Sequence, residues 1–323
     1  MKNNPMRAAI LGLGQIAWRY DDGCPVDGTA LTHLSTLRLA GVEVICGADP
    51  TAVARKDFTA ATGLNAVKSV EALLAEGPDI VTIASPNACH AEHLSACLDA
   101  GVRFVWLEKP LSADADMIAD LAARADAQNT RVLVGFQRRY MPAYQALLNT
   151  DLGNLTGIEI TYSRGLETNG SHLVDLVLWV LGDECPAVLG VMPGSKPRNA
   201  TEPSPSFLLQ GANGVPVTVM GMDLCYHSID IVVHYSEGRR AVRWGGQQSL
   251  TEIKIPNPLH DGFFCLGSKI PAQPTRNTSS ELAKAFPALL QDLLHGTGKQ
   301  PLSNLHNARL VQSVISEVLM RCA

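Results

Sequence analysis

The first 137 residues alternate short, nearly continuous apolar runs with longer stretches of helical texture. The runs are AAILGL (8–13), VEVICGAD (42–49), DIVTIAS (79–85), FVWLE (104–108) and RVLVGF (131–136). A strand with one solvated face alternates apolar and polar residues. A run that is apolar throughout fits a strand covered on both faces. Between the runs lie THLSTLRLA (32–40), ARKDFTAATG (54–63), SVEALLAE (69–76), HAEHLSACLDAG (90–101) and DADMIADLAARADAQ (114–128). Several of these are followed by or end on glycine, the usual left-handed stop of a helix. Strands separated by helices pair in parallel, because each helix carries the chain back to the same edge. The predicted class is α/β, with a Rossmann-like doubly wound parallel sheet over 1–137.

Past Tyr140 the texture changes. A helix at 171–181 is flanked by runs with period-two alternation: GIEITYS (157–163), FLLQG (207–211), PVTVMGMDL (216–224), IDIVVHY (229–235), RAVRWG (240–245) and LTEIKIP (250–256). Strands without intervening helices predict an open, mainly antiparallel sheet, so 138–323 is expected to form a second α/β domain. Two Pro/Gly/Ser-rich connections, 193–206 and 256–280, are long enough to act as lids or interface arms. Helices near 280–294 and 303–321 close the chain.

Several function classes fit poorly. The net charge is −5 with no basic run, which argues against nucleic acid or an anionic membrane as partner. No apolar run reaches the roughly 18–20 residues of a membrane-spanning helix. MKNNPMRAAILGLG lacks the apolar core and cleavage site of a secretion signal. The eight cysteines are scattered without a CxxC pair, so reduced thiols in a cytoplasmic protein are expected, with no metal site.

GLGQIA follows the first strand directly and presents Gly12, Gly14 and Ala17 as GxGxxA. The first glycine permits the tight turn and the second lets a pyrophosphate approach the backbone. The small third residue lets helix and strand pack closely. Gln15 and Ile16 then open a helix whose N–H groups and positive dipole end face the phosphates. Asp49, closing the second strand, suits the ribose diol and repels a 2′-phosphate. NAD is therefore expected, with NADP possible. Its distance from the glycines exceeds the usual value of roughly 20 residues. RYDDGCPVDG (19–28) reads as an insertion that accounts for the surplus. The first arginine on offer for a 2′-phosphate is Arg55.

DIVTIASPNACHAEHLSACLDAGVRFVWLEKPLS (79–112) closely resembles the Gfo/Idh/MocA family, the relatives of glucose–fructose oxidoreductase and inositol dehydrogenase. VGFQRRYMPAYQAL (134–147) is similar to that family's exit from its first domain. The resemblance implies a nicotinamide-dependent oxidoreductase acting on a secondary alcohol or ketone of a sugar, polyol or sugar derivative. It also implies a homodimer or homotetramer formed through the second-domain sheet. Ser85, Pro86, Asn87 and His90 would border the cofactor, with Glu108 beside it. Lys109 of EKP would face both cofactor and substrate, and a cis peptide before Pro110 is common in the family. Two other readings of the same resemblance are an NAD-retaining enzyme that cleaves glycosides and a non-catalytic NAD(P)-sensing regulator.

The family's second-domain helix reads D-x-x-x-H-x-x-D-x-x-x-x-x-x-G. On TNGSHLVDLVLWVLG this puts His172 on the acid/base histidine, Asp175 on the second aspartate and Gly182 on the closing glycine. Thr168 then stands where the family has its first carboxylate. A rival register puts Asp175 on that first aspartate and leaves Trp179 in place of the histidine. The preferred register starts the helix near Ser171, with Ser171 or Asn169 as cap, and leaves His172 near the positive dipole end. Tyr162 and Arg164 are expected on one strand face as further substrate contacts, beside Thr168 and Asp175.

Overall fold

The computed structural model describes residues 5–25, 28–111, 114–194, 202–224, 226–268 and 278–322. The expected loops 193–206 and 256–280 therefore lie partly outside the described residues. Packing divides the chain into two units, Met1–Tyr140 with Leu282–Gln312, and Met141–Glu281 with Ser313–Ala323. The split read from sequence, 1–137 and 138–323, had no signal for the return of 282–312 to the first unit.

The first unit contains strands β1 (Arg7–Leu11), β2 (Glu43–Ala48), β3 (Asn65–Val67), β4 (Ile80–Ile83), β5 (Phe104–Leu107) and β6 (Arg131–Val134). All pair in parallel in the order β3-β2-β1-β4-β5-β6. This is the Rossmann order, and its switch point falls between β1 and β4, where ligands of such sheets bind. Ala8, Ala9, Ile10, Ile80, Val81, Val105 and Trp106 are fully buried, as strands covered on both faces require. The connecting helices are α1 (His33–Leu39), α2 (Ala52–Thr62), α3 (Val70–Leu74), α4 (His90–Asp99) and α5 (Ala115–Gln128).

The late segment is tied into this unit by polar anchors and an aromatic contact. Arg131 donates to the carbonyls of Asp292 and Leu293, at 2.7 and 2.8 Å, near the end of a late helix. The Tyr140 hydroxyl donates to the Asp292 carboxylate at 2.6 Å. Phe286 packs 5.6 Å from Trp106 between ring centres.

The second unit opens with α6 (Pro142–Gln145) and is built on β7 (Leu155–Ser163), α7 (Ser171–Val180), β8 (Ala187–Met192), β9 (Ser206–Gln210), β10 (Pro216–Met222), β11 (Ile229–Tyr235), β12 (Gly238–Arg243), β13 (Gln248–Pro256) and β14 (Phe264–Ser268). Helices α8 (Thr278–His295) and α9 (Leu305–Cys322) close the chain, and their 282–312 portion belongs to the first unit. The eight strands form one sheet in the order β14-β13-β12-β11-β7-β10-β9-β8. Every pair is antiparallel except β7 with β10. One face carries buried Ile158, Ile160, Phe207, Val217, Val219 and Ile231. On the other face Leu208, Met220 and Met192 are exposed along an open apolar groove of about 750 Å³. Strands β3, β8 and β14 were not foreseen. The first is only three residues long, and β14 lies inside a Pro/Gly-rich stretch whose composition hides its alternation.

Candidate active site

The turn after β1 is bare backbone. Gly12 has φ +90°, and its N–H donates to the Ala48 carbonyl at 2.8 Å. A Cβ on Gly12 would stand 2.5 Å from the Ser85 nitrogen, so any larger residue would force apart the turns after β1 and β4. A Cβ on Gly14 would meet nothing within 4 Å, so the turn is open where a diphosphate would run. Gln15 and Ile16 begin a π-type turn, Gln15–Arg19, rather than an α-helix. The insertion then follows, held by Asp21, whose carboxylate accepts from the Leu31 N–H and the Thr32 hydroxyl, both at 2.7 Å, at the head of α1.

The Asp49 carboxylate accepts from the Leu13 N–H at 3.1 Å and the Thr51 N–H at 2.8 Å. It thus joins the ends of β1 and β2 and keeps lone pairs for a ribose diol. Arg55 donates to the carbonyls of Asp49 and Pro50 at 2.7 and 2.9 Å. A guanidinium therefore stands beside the acid after all, one helical turn into α2.

At the ends of β4 and β5, Pro86 and Asn87 are exposed and Ser85 is half-buried. His90, expected to border a cofactor, is instead fully buried. Its ring nitrogens lie 2.8 Å from the Ser85 carbonyl and 2.9 Å from the Pro110 carbonyl. The ring ties the SPN turn to the EKP loop and has no nitrogen left for a cofactor. His93 has its Nδ1 2.8 Å from the Ser85 hydroxyl, and burial lowers its pKa. Lys109 is half-buried at the end of β5, and the Lys109–Pro110 peptide is cis. Glu108 points back into the unit, where its Oε1 lies 3.0 Å from Nε2 of fully buried His33. Gly135 leaves the space for that carboxylate, since a Cβ there would stand 2.9 Å from both oxygens.

In the second unit the candidate residues separate. Tyr162 is fully buried and donates to the Pro205 carbonyl at 2.7 Å, and burial raises its pKa well above the usual phenol range. That makes it a core residue rather than a substrate contact. Arg164 lies beyond β7 with φ +69° and is exposed, so the two do not share a strand face. Asp175 is fully buried in α7 and belongs to the scaffold, whereas Thr168 is exposed and His172 is 5% exposed.

The start of the helix also differs from expectation. A π-type turn, Leu166–Gly170, leads into α7 without a break, so Ser171 does not cap it. The Ser171 hydroxyl instead donates back to the Glu167 carbonyl at 2.6 Å. His172 therefore lies more than a turn from the positive dipole end, and the expected dipole effect on it falls away. No motif in the sequence marks His33, Glu167 or Glu202 as a site residue. His33 offered only a histidine next to a helix cap, and Glu202 lies in a Pro/Ser-rich stretch without periodicity.

A family model described as "Oxidoreductase family, NAD-binding Rossmann fold" matches residues 6–136. The match falls within the first unit and covers less than half of the chain. Among curated relatives of the chain is an inositol 2-dehydrogenase of Rhodococcus erythropolis. It is 28% identical over 211 residues, covering 60% of this chain and 58% of the relative. The alignment thus spans under two thirds of that relative's length. Inositol 2-dehydrogenase 3 of Saccharopolyspora erythraea is 23% identical over 92% of this chain and 87% of its own. Among solved structures, the WlbA dehydrogenase of Bordetella pertussis, crystallised with NADH and UDP-GlcNAcA, superposes with a TM-score of 0.78. It covers 100% of this chain and 96% of its own at 16% identity, a likeness of fold alone.

Proposed function

We propose that the chain is an NAD(P)-dependent oxidoreductase that exchanges a hydride between nicotinamide and a secondary alcohol or ketone of a sugar, polyol or sugar derivative. The observation that carries this is the juxtaposition of three turns on neighbouring strands. GLGQIA follows β1, SPN follows β4 and EKP follows β5, all at the carboxyl edge where such sheets bind ligands. The bare backbone at Gly12 and Gly14 would hold the diphosphate, with Gln15 and Ile16 opening the adjoining turn, and Asp49 would hold the ribose. NAD is the favoured cofactor, and Arg55 keeps NADP open. Bound nicotinamide supplies the hydride acceptor or donor.

Lys109 donates to the substrate oxygen and stabilises the developing alkoxide. His172 takes the hydroxyl proton, a role that rests on the family resemblance. Thr168 and Arg164 are the exposed polar residues around that helix head that remain as substrate contacts. The names of the relatives define a panel: inositols, D-glucosides and UDP-N-acetylglucosamine. Lys109→Ala should lower turnover on the best of these by about a hundredfold or more while calorimetry still detects NAD. Unchanged turnover defeats the assignment.

The exposed sheet face around Leu208 and Met220 suits a second copy of the chain, as in a homodimer or homotetramer. Met220→Asp should shift the mass measured by light scattering towards the monomer. A cytoplasmic setting fits the eight scattered cysteines of the sequence, which include no CxxC pair.

A further inference from the structure

The helix that carries His172 begins with four consecutive N–H groups, none of them capped by a neighbouring side chain in sequence. Its first residue outside the helix is Gly165, at φ +92°, which has no side-chain acceptor. All four donors are satisfied by one passing segment. Gly165 N–H donates to the Ser204 hydroxyl at 2.9 Å and Leu166 N–H to the Pro203 carbonyl at 3.1 Å. Glu167 and Thr168 N–H donate to the two carboxylate oxygens of Glu202 at 2.8 and 2.7 Å. A carboxylate on two helix-start amides also meets the positive dipole end.

The segment is held to the register that this requires. Tyr162 donates to the Pro205 carbonyl, and Ser204 is 3% exposed. A Cβ on Gly221 would stand 2.1 Å from the Ser204 carbonyl oxygen, and one on Gly165 would stand 2.2 Å from the Glu202 side chain. Glycine at both places lets the Glu202 segment lie directly on the helix end.

We propose that Glu202 is a positioning residue for this helix. By clamping the amides of Glu167 and Thr168, it supplies from another segment the negative charge that the family places on the helix at Thr168, about one turn before His172. The proposal rests on the reading of His172 as acid/base. Glu202 also faces a second carboxyl group. The pKa of Glu167 is raised, first by burial and then by Glu202. The other titratable or charged groups around this helix head are Tyr162 on β7, Arg164 ahead of the turn, His227 beyond Asn169, His172 and Asp175 on α7, and Cys322 on α9.

The test uses the full chain labelled with ¹³C at glutamate carboxyl carbons and histidine Cε1, titrated by NMR as wild type, Glu202→Gln and Glu202→Asp. Removing the charge should lower the midpoints of both Glu167 and His172, that of Glu167 by about 0.5 pH unit or more. Glu202→Asp should restore much of the shift. Amide exchange at Glu167 and Thr168 should rise at least about tenfold in Glu202→Gln, which turns a donor towards one of the two N–H groups. Unmoved midpoints, or exchange equal to wild type, overturn the proposal. Neither readout needs turnover. A wild-type chain inactive on every substrate, with the midpoints shifted as stated, counts against the proposed function and leaves Glu202 in place.

Discussion

His33 Nε2 lies 3.0 Å from Glu108 Oε1, and the imidazole lies against Trp106 with ring centres 4.1 Å apart. A fully buried residue of the helix after the glycine turn thus grips the carboxylate that precedes Lys109. His33→Ala removes the partner of a carboxylate that is 17% exposed and leaves a void beside Trp106. The expected loss is about 2–4 kcal/mol in urea denaturation. His33→Gln, which retains a donor, should recover part of it. A His33→Ala midpoint equal to wild type would show the pair to be dispensable.

Asp49 and Arg55 stand together at the end of β2 and should act in opposite directions on cofactor choice. Asp49→Ala is expected to weaken NAD more than NADP, because it removes the ribose acceptor and the repulsion of a 2′-phosphate. Arg55→Ala should weaken NADP and leave NAD nearly unchanged. Calorimetry with both dinucleotides decides. Tighter NADP binding by the wild type would reverse the assignment of Asp49.

Glu167 gives a pH dependence of defined sign. Its folded-state pKa lies above the ordinary 4.5, so between 4.5 and the raised value the folded chain holds more protons than the unfolded chain. Its contribution to stability is complete below 4.5 and falls away as pH rises through the raised value. Glu167→Gln should therefore gain stability relative to wild type at pH 7, with the gain vanishing near pH 4. Parallel denaturation curves at the two pH values would contradict this.

Tyr162 separates structural from substrate roles. Its hydroxyl is buried against the Pro205 carbonyl, so Tyr162→Phe should cost about 1 kcal/mol of stability and leave the substrate KM unchanged. A KM raised severalfold, with stability intact, would return Tyr162 to the substrate site.

Much of the candidate site was legible because its chemistry is local in the chain. Gly12, Asp49, Pro86 and Lys109 each follow the end of a strand, and strand ends in an alternating pattern reach one edge of a parallel sheet. The roles of His90, Tyr162 and Asp175 were not legible. Motif position marks a residue as near a site but leaves open whether its side chain faces the ligand or the core. His90 turned to the carbonyls of Ser85 and Pro110, and Tyr162 turned inward to that of Pro205, and the two proline carbonyls lie in other segments of the chain.

Periodicity, glycine placement and strand-end residues determined the α/β class, the parallel first sheet and the mainly antiparallel second sheet. All of these rest on interactions between near neighbours or on repeating patterns. Tertiary structure alone decided that His33 pairs with Glu108, that 282–312 packs with the first unit, and that Glu202 caps the His172 helix. These pairings join residues 34 to 161 positions apart, and partner choice at such separations depends on which segments the fold brings side by side.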